Sequence, residues 1–174
     1  MTETKDNPPA QPAPKEPQDR IVTTEHSLVI GRKTLEYTAT CGTVVLRDYD
    51  ERDNDKDGKR QGDKPRATLF FTAYTLKGVK KPEQRPVTFS FNGGPGSSSV
   101  WLHLGILGPQ RVATDEMGNS PPPPYVLVDN EHTLLTESDL VFIDPVGTGH
   151  SRMAEGEKVT EFHEYQRDLD AVGE

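Results

Sequence analysis

A glycine-rich segment, Asn92 to Ser99, follows directly after Val87 to Phe91, whose alternating apolar residues predict a short strand. Three glycines within four positions let the backbone approach a ligand closely and adopt positive φ values. A phosphate-binding loop would also need a lysine followed by serine or threonine, but this segment has no lysine and Pro95 removes one backbone donor. The pattern therefore favours the oxyanion-hole turn of an acyl-transfer enzyme over a nucleotide-binding loop, with a tight structural turn as the alternative.

Apolar and β-branched runs on both sides of this segment predict further strands. His26 to Ile30 and Leu35 to Ala39 flank Gly31-Arg32-Lys33, and a glycine in such a short connection predicts a hairpin. Leu140 to Asp144 is a continuous apolar run of the kind found in buried parallel strands. Other strands are predicted at Thr43 to Leu46 and at Ala67 to Tyr74.

A helix is predicted near the end of the sequence. Its apolar face is formed by residues spaced at i, i+3, i+7 and i+10, namely Phe162, Tyr165, Leu169 and Val172. Thr160 can cap its start, and acidic residues in the first turn favour the positive end of the helix dipole.

Residues 1–20 contain five prolines and no apolar run, which predicts a disordered tail before a single domain at residues 21–174. A docking segment is the alternative interpretation of this tail. It lacks the ~7–15 apolar residues of a secretory signal, and no stretch approaches the ~20 apolar residues of a membrane helix. The default expectation is a cytoplasmic protein without a membrane partner.

Composition excludes several classes of protein. The chain has 20 basic and 28 acidic residues, a net charge of −8, and no Lys/Arg-rich run, so we expect no nucleic-acid partner. A single cysteine, Cys41, excludes a disulfide scaffold and a zinc finger. The five histidines lack metal-binding spacing. No metal or cofactor is expected, and the oligomeric state is left open.

The segment Asp53 to Gly58 matches the first six positions of an EF-hand calcium loop, with oxygen ligands at positions 1, 3 and 5 and glycine at 6. Position 12, where a glutamate should complete the ligand shell, is Lys64, and the flanking segments are predicted strands rather than helices. A solvated loop is therefore favoured, with a weak calcium site as the alternative.

Gly149-His150-Ser151 matches the first half of the G-x-S-x-G nucleophile elbow. The second half is missing because position 153 is Met153, and six residues separate Asp144, at the end of the predicted strand, from Ser151. We therefore expect this segment to line a cleft rather than to supply a nucleophile. His103 follows the glycine-rich segment closely, but a lone histidine predicts a packing or surface residue.

Two long segments match known sequence signatures in their order and separation. Asn92 to Ser99 is followed by Leu107-Gly108-Pro109, as in the pattern NGGPGCSS…LGP. Asp139 to Gly149 follows the pattern NLLFIDQPVGTGFS, with one residue missing before Pro145 and His150 in place of an aromatic residue. Together these segments resemble the serine carboxypeptidases, peptidase family S10, over roughly residues 85–172.

The resemblance implies the N-terminal portion of an α/β-hydrolase fold: the first strands of the sheet, the oxyanion loop and the start of a following helix. It also implies an enzyme that removes C-terminal residues from peptides by a Ser-Asp-His triad, without a cofactor. By position, the Gly94 N–H would donate to the oxyanion. The Asn92 side chain and the Gly93 N–H would hold the free C-terminal carboxylate of the peptide substrate, which such donors can bind without a metal.

The chain also departs from the family pattern. Ser97 stands where many members have a disulfide cysteine, which favours a disulfide-free, bacterial-type branch. The family's G-E-S-Y nucleophile motif has no counterpart in these 174 residues, and the acid and histidine of the triad come later still. The chain alone is therefore expected to be inactive, with Leu140 to Asp144 as an exposed sheet edge. The alternative is a non-catalytic, truncated relative that acts as a peptide-carboxylate binding module.

Overall fold

The structure, a computed structural model, describes residues 17–48, 64–93, 96–157, 162 and 171–173. Its strands are β1 (Arg20–Ile30), β2 (Lys33–Asp48), β3 (Lys64–Leu76), β4 (Val87–Ser90), β5 (Gln110–Val112), β6 (Leu127–Asp129), β7 (Asp139–Asp144) and β8 (Arg152–Met153). The short helix α1 (Val100–Leu102) continues into a π-helical turn, His103–Leu107. Two 3₁₀ turns are formed by Pro82–Gln84 and Leu134–Thr136.

The described strands form one six-stranded mixed sheet and one small two-stranded sheet. The order in the large sheet is β1-β2-β3-β7-β4, with β8 beside β3, while β5 pairs with β6. The predicted hairpin is confirmed, since β1 pairs antiparallel with β2 along its whole length. The two strands predicted at 35–39 and 43–46 are one continuous strand of 16 residues, because Thr40 to Gly42 pair with β1 on one side and with β3 on the other.

Strand β7 lies inside the sheet rather than at its edge. It pairs antiparallel with β3 on one side and parallel with β4 on the other. The predicted parallel pairing of Leu140 to Asp144 is confirmed, and the predicted exposed edge at this strand is wrong, because β4 pairs with its outer side. Within the described part of the chain, β4 is the sheet edge on this side and β1 is the edge on the other side. Val87 and Phe89 of β4 are 51% and 61% exposed.

Side chains alternate between the two faces of the sheet and form an apolar cluster on each. One cluster buries Leu28, Tyr37, Leu135, Leu140 and Phe142. The other buries Leu46, Ala67, Leu69, Ile143, Val146 and Ala171. Neighbouring residues of β7 thus belong to opposite faces, as the two-residue period of a strand requires.

Several predicted segments lie partly outside the described residues. Of the predicted helix, residues 171–173 are helical, and Phe162 and Val172 pack against the second cluster. Tyr165 and Leu169 lie outside the described residues, as do residues 1–16 of the predicted tail. Strand β1 begins at Arg20, next to the predicted boundary between residues 20 and 21. The division into a tail and one domain stays a prediction. None of the helices in the described ranges has the length and apolar character needed to cross a membrane.

Candidate active site

The glycine-rich loop connects the end of β4 to the start of α1. Its first end is fixed because Ser90, the last residue of β4, pairs with Phe142 of β7. Its other end is Ser99, which is buried directly before α1. Gly94, the predicted oxyanion donor, lies with Pro95 outside the described residues. Its role therefore stays a prediction.

The Asn92 side chain is partly buried near the start of this loop. Its Oδ1 is fully screened from solvent and has no hydrogen-bond partner among the described residues. A buried acceptor without a partner typically costs ~1–3 kcal/mol, so such groups mark places where a ligand can complete the hydrogen bonding. Rotation of the amide exchanges Oδ1 with Nδ2, which would present a donor at the same place. A carboxylate oxygen is the acceptor that such a donor suits.

Gly93 and Gly96 contribute to the loop in different ways: Gly93 by the open space beside it and Gly96 by its backbone conformation. Gly93 is exposed, and a Cβ added there would meet nothing within 4 Å, so its backbone borders open space. Gly96 has φ +98°, a conformation that side chains with a Cβ rarely adopt. The loop therefore needs a glycine at position 96 for its path and has room for a ligand beside Gly93.

A buried carboxylate, that of Asp144 at the end of β7, joins this loop to the second motif. Its Oδ1 accepts hydrogen bonds from the backbone N–H and the hydroxyl of Ser99, at 2.8 and 2.9 Å. Its Oδ2 accepts from the backbone N–H of His150 at 3.0 Å. Asp144 is only 4% exposed, so these three donors replace the water that a buried carboxylate loses.

Gly149 lies directly against the same carboxylate. A Cβ added to Gly149 would collide with Asp144 Oδ2 and would lie 2.8 Å from the Cβ of Ser98. Only a glycine therefore allows the two motifs to approach this closely. Both motifs are evident in the sequence, whereas the role of Asp144 in joining them was not predicted. One feature of the sequence could have indicated this role: Asp144 is a carboxylate at the end of a continuous apolar run. Charged groups are rarely buried without partners, so a buried aspartate predicts hydrogen-bond donors around it.

Ser151 has a structural role in the second motif. It is completely buried, and its hydroxyl donates to the backbone oxygen of Asp144 at 2.6 Å while it accepts from the N–H of Phe70 at 2.8 Å. The hydroxyl thus acts as a donor and as an acceptor, and both hydrogen bonds hold the end of β7 to β3. These contacts assign the hydroxyl a structural role, and the expectation that Ser151 is not a nucleophile stays a prediction.

His103 packs between α1 and the sheet. Its ring stacks on Phe142 with centroids 4.6 Å apart, and its Nε2 forms a 2.6 Å hydrogen bond with the Tyr74 hydroxyl. Burial lowers the pKa of His103 from 6.5 to about 4, although the charge of Asp144 acts in the opposite direction. Burial also raises the pKa of Tyr74. His103 is therefore a neutral packing residue near pH 7, as the sequence predicted.

The stability of the chain should fall as the pH is lowered from about 6.5 to about 4. In this window the unfolded state binds the His103 proton and the folded state does not, so acid favours unfolding until the folded pKa is reached. Urea unfolding of His103→Gln should show a smaller loss of unfolding free energy between pH 7 and pH 4 than the wild type. His132→Gln, at an exposed position, is the control. Parallel pH profiles for wild type and His103→Gln would contradict the assignment.

Metal binding finds no support among the residues that the structure describes, since no group of three or more His, Cys, Asp or Glu residues is placed there to hold an ion. The candidate calcium loop, Asp53 to Gly58, lies outside the described residues. The weak-calcium alternative is therefore not tested. Cys41 is a partly buried free thiol.

Comparison with known families identifies the chain. Residues 60–172 match the model of the serine carboxypeptidases, peptidase family S10. The chain belongs to the serine carboxypeptidase family. The matched region contains both motifs and the strands that carry them. The fold expected from the resemblance is confirmed by this match: the mixed sheet is the N-terminal portion of an α/β-hydrolase fold.

Serine carboxypeptidases of yeast and plants are among its similar proteins. Pheromone-processing carboxypeptidase KEX1 of Saccharomyces cerevisiae is 34% identical over 113 residues, which are 63% of this chain and 13% of the relative. Serine carboxypeptidase-like 13 of Arabidopsis thaliana is 30% identical over 109 residues, which are 61% of this chain and 24% of the relative. The crystal structure of a prohormone-processing carboxypeptidase from Saccharomyces cerevisiae gives a TM-score of 0.49 at 32% identity, covering 68% of this chain and 21% of that one. The chain thus spans less than a quarter of each of these proteins.

Proposed function

We propose that this chain is part of a serine-type carboxypeptidase, which hydrolyses the last peptide bond of substrates with a free C-terminal carboxylate. The parent protein is here the polypeptide that carries residues 1–174 together with the nucleophilic serine, acid and histidine of the triad. Family membership supports the reaction class. The yeast relative is itself named as a pheromone-processing carboxypeptidase.

In this proposal the glycine-rich loop supplies the donors and the rest of the parent protein supplies the nucleophile. The Gly94 N–H donates to the carbonyl oxygen as it becomes an oxyanion, and a donor of this kind typically contributes ~3–4 kcal/mol to the transition state. Asn92 and the Gly93 N–H bind the terminal carboxylate and so select the last peptide bond. No metal is needed, because amide and backbone donors form charge-assisted hydrogen bonds with a carboxylate.

The observation that carries the proposal is Asn92 Oδ1, a buried atom without a hydrogen-bond partner among the residues that the structure describes. A buried polar atom without a partner is rare in folded proteins, and this one lies in the loop that the family signature identifies. The open space beside Gly93 supports access for a ligand.

Two finer expectations belong to this proposal. The bacterial-type branch rests on Ser97 and the single cysteine, and the yeast and Arabidopsis relatives give it no support. The peptide substrate follows from the family, whereas the absence of nucleic-acid and membrane partners rests on composition alone.

The isolated chain is expected to bind an N-blocked dipeptide with a free carboxylate without hydrolysing it. In a ¹⁵N NMR titration, the side-chain amide of Asn92 and the N–H of Gly93 should shift with the dipeptide acid and stay unchanged with its C-terminal amide. Chromatography of the same samples should detect no released amino acid, whereas the parent protein should release it.

Three results would decide against parts of this proposal. Binding of the acid without hydrolysis by the parent protein would favour the non-catalytic carboxylate-binding module. Equal shifts with the acid and the amide would remove the carboxylate role of Asn92 and Gly93. Turnover by the isolated chain would contradict the proposal that the nucleophile lies outside residues 1–174.

A further inference from the structure

Both ends of the glycine-rich loop are attached to one strand, β7. The first end is held by the backbone pairing of Ser90 with Phe142. The last end is held by the hydrogen bonds of Ser99 to the carboxylate of Asp144. Phe142 and Asp144 are two positions apart on β7 and so lie on the same face, about 7 Å from each other along the strand.

The two attachments differ in kind. The first is part of a sheet ladder and is reinforced by its neighbours along β4 and β7. The second joins Ser99 directly to β7 through one side chain, because Ser99 gives both its N–H and its hydroxyl to the single oxygen Oδ1 of Asp144. The other oxygen holds His150 of the second motif. Loss of this carboxylate would therefore remove the direct hydrogen bonds of Ser99 to β7 and loosen the loop at this end, while its other end stays paired.

From these contacts we infer that Asp144 is a positioning residue, which holds the glycine-rich loop so that its donors face the substrate. This inference rests on the proposed carboxypeptidase function. Asp144 is buried behind the loop and acts through Ser99 and His150. Its effect should therefore extend to both functions proposed for the loop, oxyanion stabilisation and carboxylate binding.

Asparagine is the informative replacement at this position. It has the size of aspartate, but its Nδ2 is a donor and cannot accept a hydrogen bond. In either orientation of the amide, Nδ2 would face the N–H of Ser99 or that of His150, which leaves a buried donor without a partner. In the parent protein, Asp144→Asn should lower kcat and raise KM together, and kcat/KM should fall by about 10- to 100-fold.

The change in KM separates positioning from a loss of stability. A variant that is only less stable contains fewer folded molecules, which lowers the apparent kcat and leaves KM unchanged. Asp139→Asn is the matched control, because Asp139 is a partly buried carboxylate of the same strand at its opposite end. Asp139 accepts from the N–H of Leu76 and forms an ion pair with Arg85, so its replacement also removes native contacts. We expect Asp139→Asn to leave KM unchanged.

Hydrogen exchange tests the attachment itself, independently of activity. In the chain of residues 1–174, amides of the segment 91–99 should exchange faster in Asp144→Asn than in the wild type or in Asp139→Asn. Ser99→Ala, which removes only the hydroxyl, should give a smaller increase. Ser99→Thr keeps the hydroxyl and should restore the slow exchange.

These measurements distinguish failure of the inference from failure of the proposed function. Faster exchange in 91–99 together with a raised KM in Asp144→Asn supports the inference. Unchanged exchange, or faster exchange with an unchanged KM in an active parent protein, overturns it. A parent protein without carboxypeptidase activity would refute the proposed function and, with it, the inferred role toward substrate.

Discussion

Replacement of Gly94 by valine in the parent protein is expected to lower kcat by about 10²- to 10³-fold, with a much smaller change in KM. The proposed role of Gly94 is to donate its N–H to an oxyanion that exists only near the transition state, so its loss affects the chemical step more than substrate binding. A β-branched side chain narrows the backbone conformations that a residue can adopt, so we expect it to displace the proposed donor. Steady-state kinetics with an N-blocked dipeptide acid provide the measurement.

A matched control for this variant is Gly105→Val. Gly105 is exposed in the π-helical turn, and a Cβ added there would meet nothing within 4 Å. This control makes the same chemical change outside the proposed site and should keep kcat close to that of the wild type. A folded Gly94→Val protein with the wild-type kcat would show that the loop has only a structural role.

Asn92→Ala is expected to have the opposite kinetic signature, with KM raised by about 10- to 100-fold and kcat changed less. Asn92 is proposed to contact the substrate carboxylate in the ground state as well as in the transition state, and loss of such uniform binding appears mainly in KM. Asn92→Asp should raise KM further, because a second carboxylate would repel the first.

The preference for free carboxylates gives Asn92 a second readout. The ratio of kcat/KM for a dipeptide acid to that for its amide should fall in Asn92→Ala. Asn119→Ala, at an exposed asparagine that bonds Asp115 in the β5–β6 hairpin, should keep the wild-type ratio. An unchanged ratio in Asn92→Ala would show that this side chain does not recognise the carboxylate.

Local sequence patterns predicted the strands better than their arrangement. Alternation and β-branched runs located β1, β3, β4 and β7, because these features depend on neighbours in sequence. The small residues Thr40 to Gly42 hid the continuity of β2, which depends on pairing with strands on both sides. The position of β7 between β3 and β4 also depends on pairing between distant segments, so its composition indicated a buried strand but not which strands pair with it on each side.

In the candidate site, too, local features were predicted and contacts between distant residues were not. The loop was found from Asn92 to Ser99 because its glycines are adjacent in sequence. The importance of Asp144 was missed because its bonds to Ser99 join residues 45 positions apart. Ser151 matches half of a nucleophile motif in its local pattern. Its hydrogen bonds to the backbone of Asp144 and to that of Phe70, 81 positions away, show that its hydroxyl is used structurally.

The most direct test of the proposed function compares one N-blocked dipeptide with its own C-terminal amide as substrates of the parent protein. Recognition of the terminal carboxylate by Asn92 and Gly93 predicts that kcat/KM for the acid exceeds that for the amide by about 100-fold or more, since hydrogen bonds to a charged group are among the strongest in proteins. Equal values for the two substrates, or hydrolysis of neither, would contradict a carboxypeptidase whose glycine-rich loop binds the free carboxylate.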